Sequence, residues 1–134
     1  MTDVFAGRLM SSPVETVSPA TSVRDAAKTM LDSDIGSVVV VDDMGDLHGI
    51  LTTTDFVRIT ADDQPASDAT VADYMTTDVV TATANDPITA VADTMIDHGF
   101  HHLPIVDDDE GVIGMLTTTD LTKYLSHIDT PQLA

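Results

Sequence analysis

The chain contains one sequence pattern twice, and Met10 of the first copy corresponds to Met75, 65 residues later. Residues 49–55 read Gly-Ile-Leu-Thr-Thr-Thr-Asp, and residues 114–120 read Gly-Met-Leu-Thr-Thr-Thr-Asp. No gap is needed to align the two copies between Met10 and Asp55. Because neighbouring copies of a repeated unit bury their apolar faces against each other, we expect them to pack about a pseudo-twofold axis. A ligand site on that axis would be lined by both copies.

The length and composition are typical of one small globular fold. The chain has 134 residues, and one copy of ~55 residues would be marginally stable alone, so the pair should fold as one unit. It has no Cys, which excludes a disulfide framework. Neither a basic, apolar leader nor an apolar run near the ~20 residues that cross a bilayer is present. We therefore expect a cytoplasmic protein with no membrane partner.

The chain is strongly acidic, with 23 Asp and Glu against 5 Lys and Arg and a formal net charge of −18. Such self-repulsion destabilises a compact state in dilute buffer, but salt at about 1 M shortens the Debye length to ~3 Å. Acids spread along the whole chain predict a halophilic protein of haloarchaeal type, and an acidic interaction surface is the alternative. Nucleic acid is not expected as a partner, because no basic stripe exists to neutralise phosphates.

An amphipathic helix is predicted in each copy, because apolar residues recur there at i, i+3, i+4, i+7 and i+8. The same five places are apolar in both copies, so the prediction is made twice independently. The apolar stripe consists of Val23, Ala26, Ala27, Met30 and Leu31 in the first copy and of Ile88, Val91, Ala92, Met95 and Ile96 in the second.

Strands are predicted before and after this helix. Short β-branched runs precede it, and two apolar runs joined by an Asp- and Gly-rich turn follow it as a hairpin. A second helix begins at each Thr triplet, so each copy reads β-α-β-β-α and the fold class is α/β (α+β). We predict a first repeat at 1–60, a linker at 61–70 and a second repeat at 71–134. The predicted strands are 16–17, 37–41 and 47–51, then 80–82, 102–106 and 112–116.

The Thr-x-x-Asp sequence after each hairpin has two interpretations. A Thr N-cap with an acid three residues later is a capping box, which Thr52 with Asp55 and Thr117 with Asp120 would form. A carboxylate at a helix start can also accept two hydrogen bonds from a ribose diol, while the Thr hydroxyl and free N–H groups face a phosphate. Both roles can hold together.

Three strings in the same order in both copies make the chain resemble a tandem pair of CBS (cystathionine-β-synthase) domains, known as a Bateman module. In the second copy they are 73–81, 101–107 and 114–120, and in the first 9–11, 35–42 and 49–55. The resemblance covers residues 6–128. It implies a regulatory module that binds AMP, ADP, ATP or S-adenosylmethionine between the copies, with the Asp on the ribose and the Thr near the phosphate. It also implies a homodimer and a separate, unknown effector protein.

Other residues complete the candidate site. The strand starts would flank the base, since a purine needs an apolar slot with backbone groups at its edge, although they could equally be ordinary core. Family members that bind nucleotides often carry His or Arg for the phosphates where this chain has its histidine pair. Base-slot candidates are Ile35, Gly36, Ser37, Val38, Phe100, His102, Leu103 and Pro104, and phosphate candidates are His101, His102, Arg24 and Lys28.

The scarcity of cations keeps the identity of the ligand open. The candidate cations are Arg8, Arg24, Lys28, Arg58 and Lys123, whereas triphosphate binders of the family usually bring several to the site. S-adenosylmethionine, with its positive sulfonium, is therefore the alternative ligand, and a module with empty clefts is a further one. A metal site of His98, His101 and His102 is weakly supported, because a strand would carry His102 away from the others. No Gly-x-Ser-x-Gly, His-Glu-x-x-His or Walker sequence occurs, so no enzyme and no cofactor are expected.

Overall fold

The computed structural model describes residues 4–62 and 68–127. Most of the predicted linker, residues 63–67, lies outside the described part. The chain divides into two compact units, one of residues 14–62 and 68–80 and the other of residues 4–13 and 81–127. The elements in chain order are α1 (Ala6–Leu9), β1 (Thr16–Val17), α2 (Val23–Ser33), β2 (Ser37–Val41), β3 (Leu47–Thr52), α3 (Thr53–Ala61), α4 (Val71–Tyr74), α5 (Ile88–His98), β4 (His102–Asp107), β5 (Gly111–Thr117) and α6 (Thr118–His127).

The mixed α and β class and the two repeats are confirmed. In the unit of residues 14–80, β1 pairs parallel with β2, and β2 pairs antiparallel with β3. The side chains of Val38, Val40 and Leu51 lie in the core of this unit with Ala26 and Met30 of α2. The predicted helix therefore covers one face of the sheet, as its apolar stripe requires.

The prediction of a strand at 80–82 is wrong. Only Ala82 makes a parallel bridge there, to Ile105 of β4. In the first repeat the N–H of Val39 donates to the carbonyl of Glu15, which extends the pairing of β1. The corresponding residue in the second repeat is Pro104, which has no N–H to donate, so the ladder loses that bond.

Each unit combines the hairpin of one repeat with the opening segment of the other. Ser11 bridges Met115 of β5, and Thr76 bridges Ile50 of β3. Glycines allow this approach, because a Cβ at Gly49 would lie 2.7 Å from the carbonyl oxygen of Thr76, and one at Gly114 would meet Met10. The short helices α1 and α4 that begin these segments were not predicted from the sequence. Their placement brings Ser11 beside the end of β5.

The last residue of each predicted apolar stripe lies at the surface. Leu31 of α2 is 80% exposed and Ile96 of α5 is 76% exposed, whereas Met30 and Met95 are buried. The buried side of each helix is thus narrower than the stripe. The two copies therefore present the same apolar position to the surface.

All but one of the acidic side chains in the described residues lie wholly or partly at the surface. Within that part of the chain, Asp55 is the single buried acid. No helix in residues 4–62 or 68–127 has the length and hydrophobicity needed to span a bilayer.

Candidate ligand-binding sites

Each Thr-x-x-Asp sequence forms the first turn of a helix. In the first site (Thr52 and Asp55), Asp55 Oδ2 accepts from the backbone N–H of Thr52 at 2.8 Å, and the full capping box is present. In the second site (Thr117 and Asp120), Asp120 Oδ2 accepts from the N–H of Thr117 at 2.9 Å, and Thr117 Oγ1 accepts from the N–H of Asp120 at 3.1 Å. One carboxylate oxygen per site is thus committed to the helix start, which leaves Oδ1 for another partner.

The starts of the preceding strands lie beside these helix starts. Ser37 pairs with Thr52, and His102 pairs with Thr117. The carbonyl of Gly36 accepts from the N–H of Thr53 at 3.1 Å, and the equivalent bond in the second repeat joins Thr118 to the carbonyl of His101 at 3.0 Å. The fold therefore brings the predicted base-slot segment next to the Thr-x-x-Asp sequence of the same repeat.

The predicted base-slot residues differ in burial. Val38 and Leu103 are fully buried, and Ser37 and Pro104 are also buried, so these side chains fill the interior of their units. Half-buried positions, where a ligand could make contact, are occupied by Ile35, Gly36, Phe100 and His102. The strand starts thus combine core positions with partly exposed ones.

The two candidate phosphate histidines have different environments. His101 is exposed and His102 is half-buried. Burial lowers the pKa of His102, the nearby His101 lowers it further, and the carboxylate of Asp120 opposes both effects. The lowered pKa favours the neutral imidazole, and in that form His102 would contact a phosphate as a hydrogen-bond donor rather than as a cation.

His98, the third predicted metal candidate, contacts other residues. Its ring stacks on Phe100 with centroids 5.1 Å apart, and its Nδ1 lies 2.9 Å from the carbonyl oxygen of Thr94. Across residues 4–62 and 68–127, no group of three or more His, Asp or Glu side chains is arranged to hold a metal ion.

The structure does not join the two predicted helix cations to the first site. Arg24 and Lys28 lie on the exposed face of α2, and no hydrogen bond or ion pair of the described residues links them to Thr52 or Asp55. The cation at the first site is instead Arg58, whose guanidinium contacts Asp55 Oδ1. The sequence does indicate this pair, because Asp55 and Arg58 stand at i and i+3 and therefore share one face of the helix.

The second site has a hydroxyl where the first has a guanidinium. Ser11 Oγ donates to Asp120 Oδ1 at a long 3.3 Å. Asp120 is half-buried, whereas Asp55 is only 2% exposed. The equivalent aspartates of the two repeats thus differ, because the carboxylate of Asp120 is accessible and that of Asp55 is covered.

The family follows from a direct match. Residues 6–62 and 71–127 each match the CBS domain, so the chain belongs to the CBS domain family and carries a tandem pair.

Relatives and solved structures agree with this assignment. The chain is 32% identical to an uncharacterized 17.7 kDa protein of Acidianus ambivalens over 93% of its own length and 75% of that protein. It is 33% identical to a homoserine O-acetyltransferase of Methanocorpusculum labreanum, covering 91% of this chain but 24% of the enzyme. It resembles the crystal structure of the CBS domain pair of protein MJ0100 in complex with 5′-methylthioadenosine and S-adenosyl-L-methionine, with a TM-score of 0.85, 29% identity and coverage of 91% and 99%.

Proposed function

We propose that the chain is a regulatory module that binds an adenosine-type ligand at its Thr-x-x-Asp sites. The observation that carries this proposal is the second site, where a half-buried carboxylate at a helix start keeps Oδ1 available except for the long bond from Ser11. A similar CBS pair was crystallised with two adenosine-containing molecules, which supports the ligand class.

The proposed binding mode follows from the chemistry of the site. The ribose hydroxyls would donate to Asp120, and the adenine would lie against the half-buried Phe100 and His102 with backbone groups at its edge. A ligand with a positive or neutral tail, such as S-adenosylmethionine or 5′-methylthioadenosine, suits this second site. The reason is that burial favours the neutral form of His102 and that the chain is strongly acidic.

Thermal unfolding in about 1 M KCl tests the proposal. A ligand present at about 100 times its dissociation constant should stabilise the fold by about 2.7 kcal/mol, which raises the melting temperature by several degrees. We expect this shift with S-adenosylmethionine, 5′-methylthioadenosine or AMP, and a smaller shift with 2′-deoxyadenosine than with adenosine. The absence of any shift with all these nucleosides would contradict the proposal and favour a structural module with empty sites.

A regulatory module needs a partner that responds to the bound ligand, and we propose that this partner is a separate effector protein. A ligand shifts a conformational equilibrium only by its difference in affinity for the two states. In this proposal the module catalyses no reaction. Ligand binding instead changes a surface of the module that the effector contacts.

We also propose that two copies associate through their helices. The exposed Leu31 and Ile96 occupy the same place in the two repeats, and burying both against a second copy would remove apolar surface from water. Light scattering in about 1 M KCl should give the mass of a dimer, and the double variant Leu31→Asp with Ile96→Asp should give a monomer. A wild-type monomer would refute this part.

A further inference from the structure

Arg58 contacts the carboxylate oxygen that the proposed ribose would need at the first site. Its guanidinium contacts Asp55 Oδ1, while Oδ2 of the same carboxylate accepts from Thr52. The Asp55 side chain is 2% exposed, so a ligand meets the guanidinium before it meets the carboxylate. The first site is therefore closed by a side chain of its own helix.

The Arg58 side chain has room to move away from Asp55. The Arg58 side chain is 61% exposed and stands one turn after Asp55 on α3. A rotation about its flexible stem would expose Asp55 without moving the backbone. A buried carboxylate that loses its cation has to gain other hydrogen bonds, which a ribose diol can supply.

We propose that Arg58 makes the first site selective for adenosine ligands that carry a phosphate. The inference rests on the proposed function, because it assigns a ligand class to one of the two proposed sites. A neutral nucleoside would have to displace the guanidinium from Asp55 and leave that cation without a partner. A nucleotide supplies a new partner to each of these two groups. Its ribose hydroxyls replace the guanidinium on Asp55, and its phosphate oxygens accept two hydrogen bonds from the guanidinium of Arg58.

The helix start favours the same class of ligand. The N–H groups of Thr52 and Thr53 are already bonded to Asp55 and to the carbonyl of Gly36, so an anion would meet the exposed hydroxyls of Thr53 and Thr54 and the positive end of the dipole of α3. At the second site the equivalent carboxylate oxygen accepts from neutral Ser11, so a phosphate is not needed to open it. The two sites would thus sort adenosine ligands by charge.

Calorimetric titration with AMP and adenosine tests the proposal, because these two ligands differ only in the phosphate. The background variant Asp120→Asn weakens the second site so that the first is measured, and Asp55→Asn does the reverse. We expect the affinity ratio of AMP to adenosine to be at least about tenfold higher at the first site than at the second. In the Asp120→Asn background, Arg58→Gln should lower this ratio at least about tenfold, whereas Arg58→Lys should retain most of it.

Lys123 provides the matched control, because it occupies the place of Arg58 in the second repeat. Lys123→Met in the Asp55→Asn background should leave the ratio at the second site within about twofold. Equal ratios at the two sites, an unchanged ratio in Arg58→Gln, or an equal fall in Lys123→Met would each overturn the role of Arg58. If the wild type binds nucleosides and one of these results is found, only the role of Arg58 is refuted. A wild type that binds no nucleoside removes the proposed function as well.

Discussion

Replacing Asp120 with alanine is expected to weaken the binding of S-adenosylmethionine or 5′-methylthioadenosine by about 10- to 100-fold. Hydrogen bonds to a charged group contribute about 1.5–3 kcal/mol each, and the ribose would lose its acceptor. Calorimetric titration in about 1 M KCl gives the dissociation constant directly. The variant should also melt at a lower temperature, because the N–H of Thr117 loses its capping partner, which costs about 1 kcal/mol.

Asp73 offers a matched control for this capping loss. It closes a capping box with Thr70 at the start of α4, where it accepts from the N–H of Thr70 at 3.1 Å. Asp73→Ala should lower stability in the same way without changing nucleoside affinity. Asp120→Asn, which keeps one acceptor oxygen, should fall between Asp120→Ala and the wild type. Unchanged affinity in Asp120→Ala, or an equal loss in Asp73→Ala, would show that the second site is not the ribose site.

The repeat made most of the fold predictable. Two copies that place apolar residues at identical positions allow each element to be checked against its partner, and the hairpins of residues 37–52 and 102–117 follow the pattern closely. The predicted strand at 80–82 was wrong because one substitution, Pro104 for Val39, removes a donor that the repeat otherwise preserves. Such a difference is visible in the sequence only once the pairing of the strands is known.

The exchange of opening segments was not predictable from local patterns. Ser11 lies in the sequence far from Asp120, and only the bridge to Met115 brings the two together. Periodicity reports which residues of a helix or strand are apolar, but it does not report which other segment covers them. The same limit explains Leu31, which belongs to the apolar stripe in sequence and lies at the surface in the fold.

The sequence indicated which candidate residues lie near each other better than it indicated their side-chain partners. Each strand start does lie beside the Thr-x-x-Asp sequence of its own repeat, as the order of elements suggested. The sequence has Gly36-Ser37 in the first repeat where the second has His101-His102, which by itself indicates that the two sites differ. The contacts add a second difference, since Arg58 on Asp55 and Ser11 on Asp120 decide which carboxylate is accessible. Side-chain contacts of this kind depend on rotamers that the sequence does not specify.

Lowering the salt concentration is expected to destabilise the chain. The described residues contain two ion pairs, His48–Asp42 and Arg58–Asp55, so most of the carboxylates in that part have no cation within 4.0 Å. Two unit charges ~10 Å apart repel each other by about 0.4 kcal/mol in water, and about ten such pairs reach ~4 kcal/mol. A Debye length of ~10 Å at about 0.1 M salt leaves about a third of this repulsion, whereas ~3 Å at about 1 M removes nearly all of it. The free energy of unfolding, measured with urea at the two KCl concentrations, should therefore differ by about 1–2 kcal/mol.

A variant with fewer charges separates screening from other effects of salt. The exposed turn between β4 and β5 consists of Asp108, Asp109 and Glu110. The side chain of Asp107 holds its backbone by accepting from the N–H groups of Asp109 and Glu110. Asp108→Asn, Asp109→Asn and Glu110→Gln together keep the turn and remove three negative charges. If repulsion limits stability, this triple variant should be more stable than the wild type at about 0.1 M KCl and equally stable at about 1 M. An equal dependence on salt in both proteins would mean that KCl acts through hydration of the apolar core, and the charge of −18 would then have to serve an acidic interaction surface.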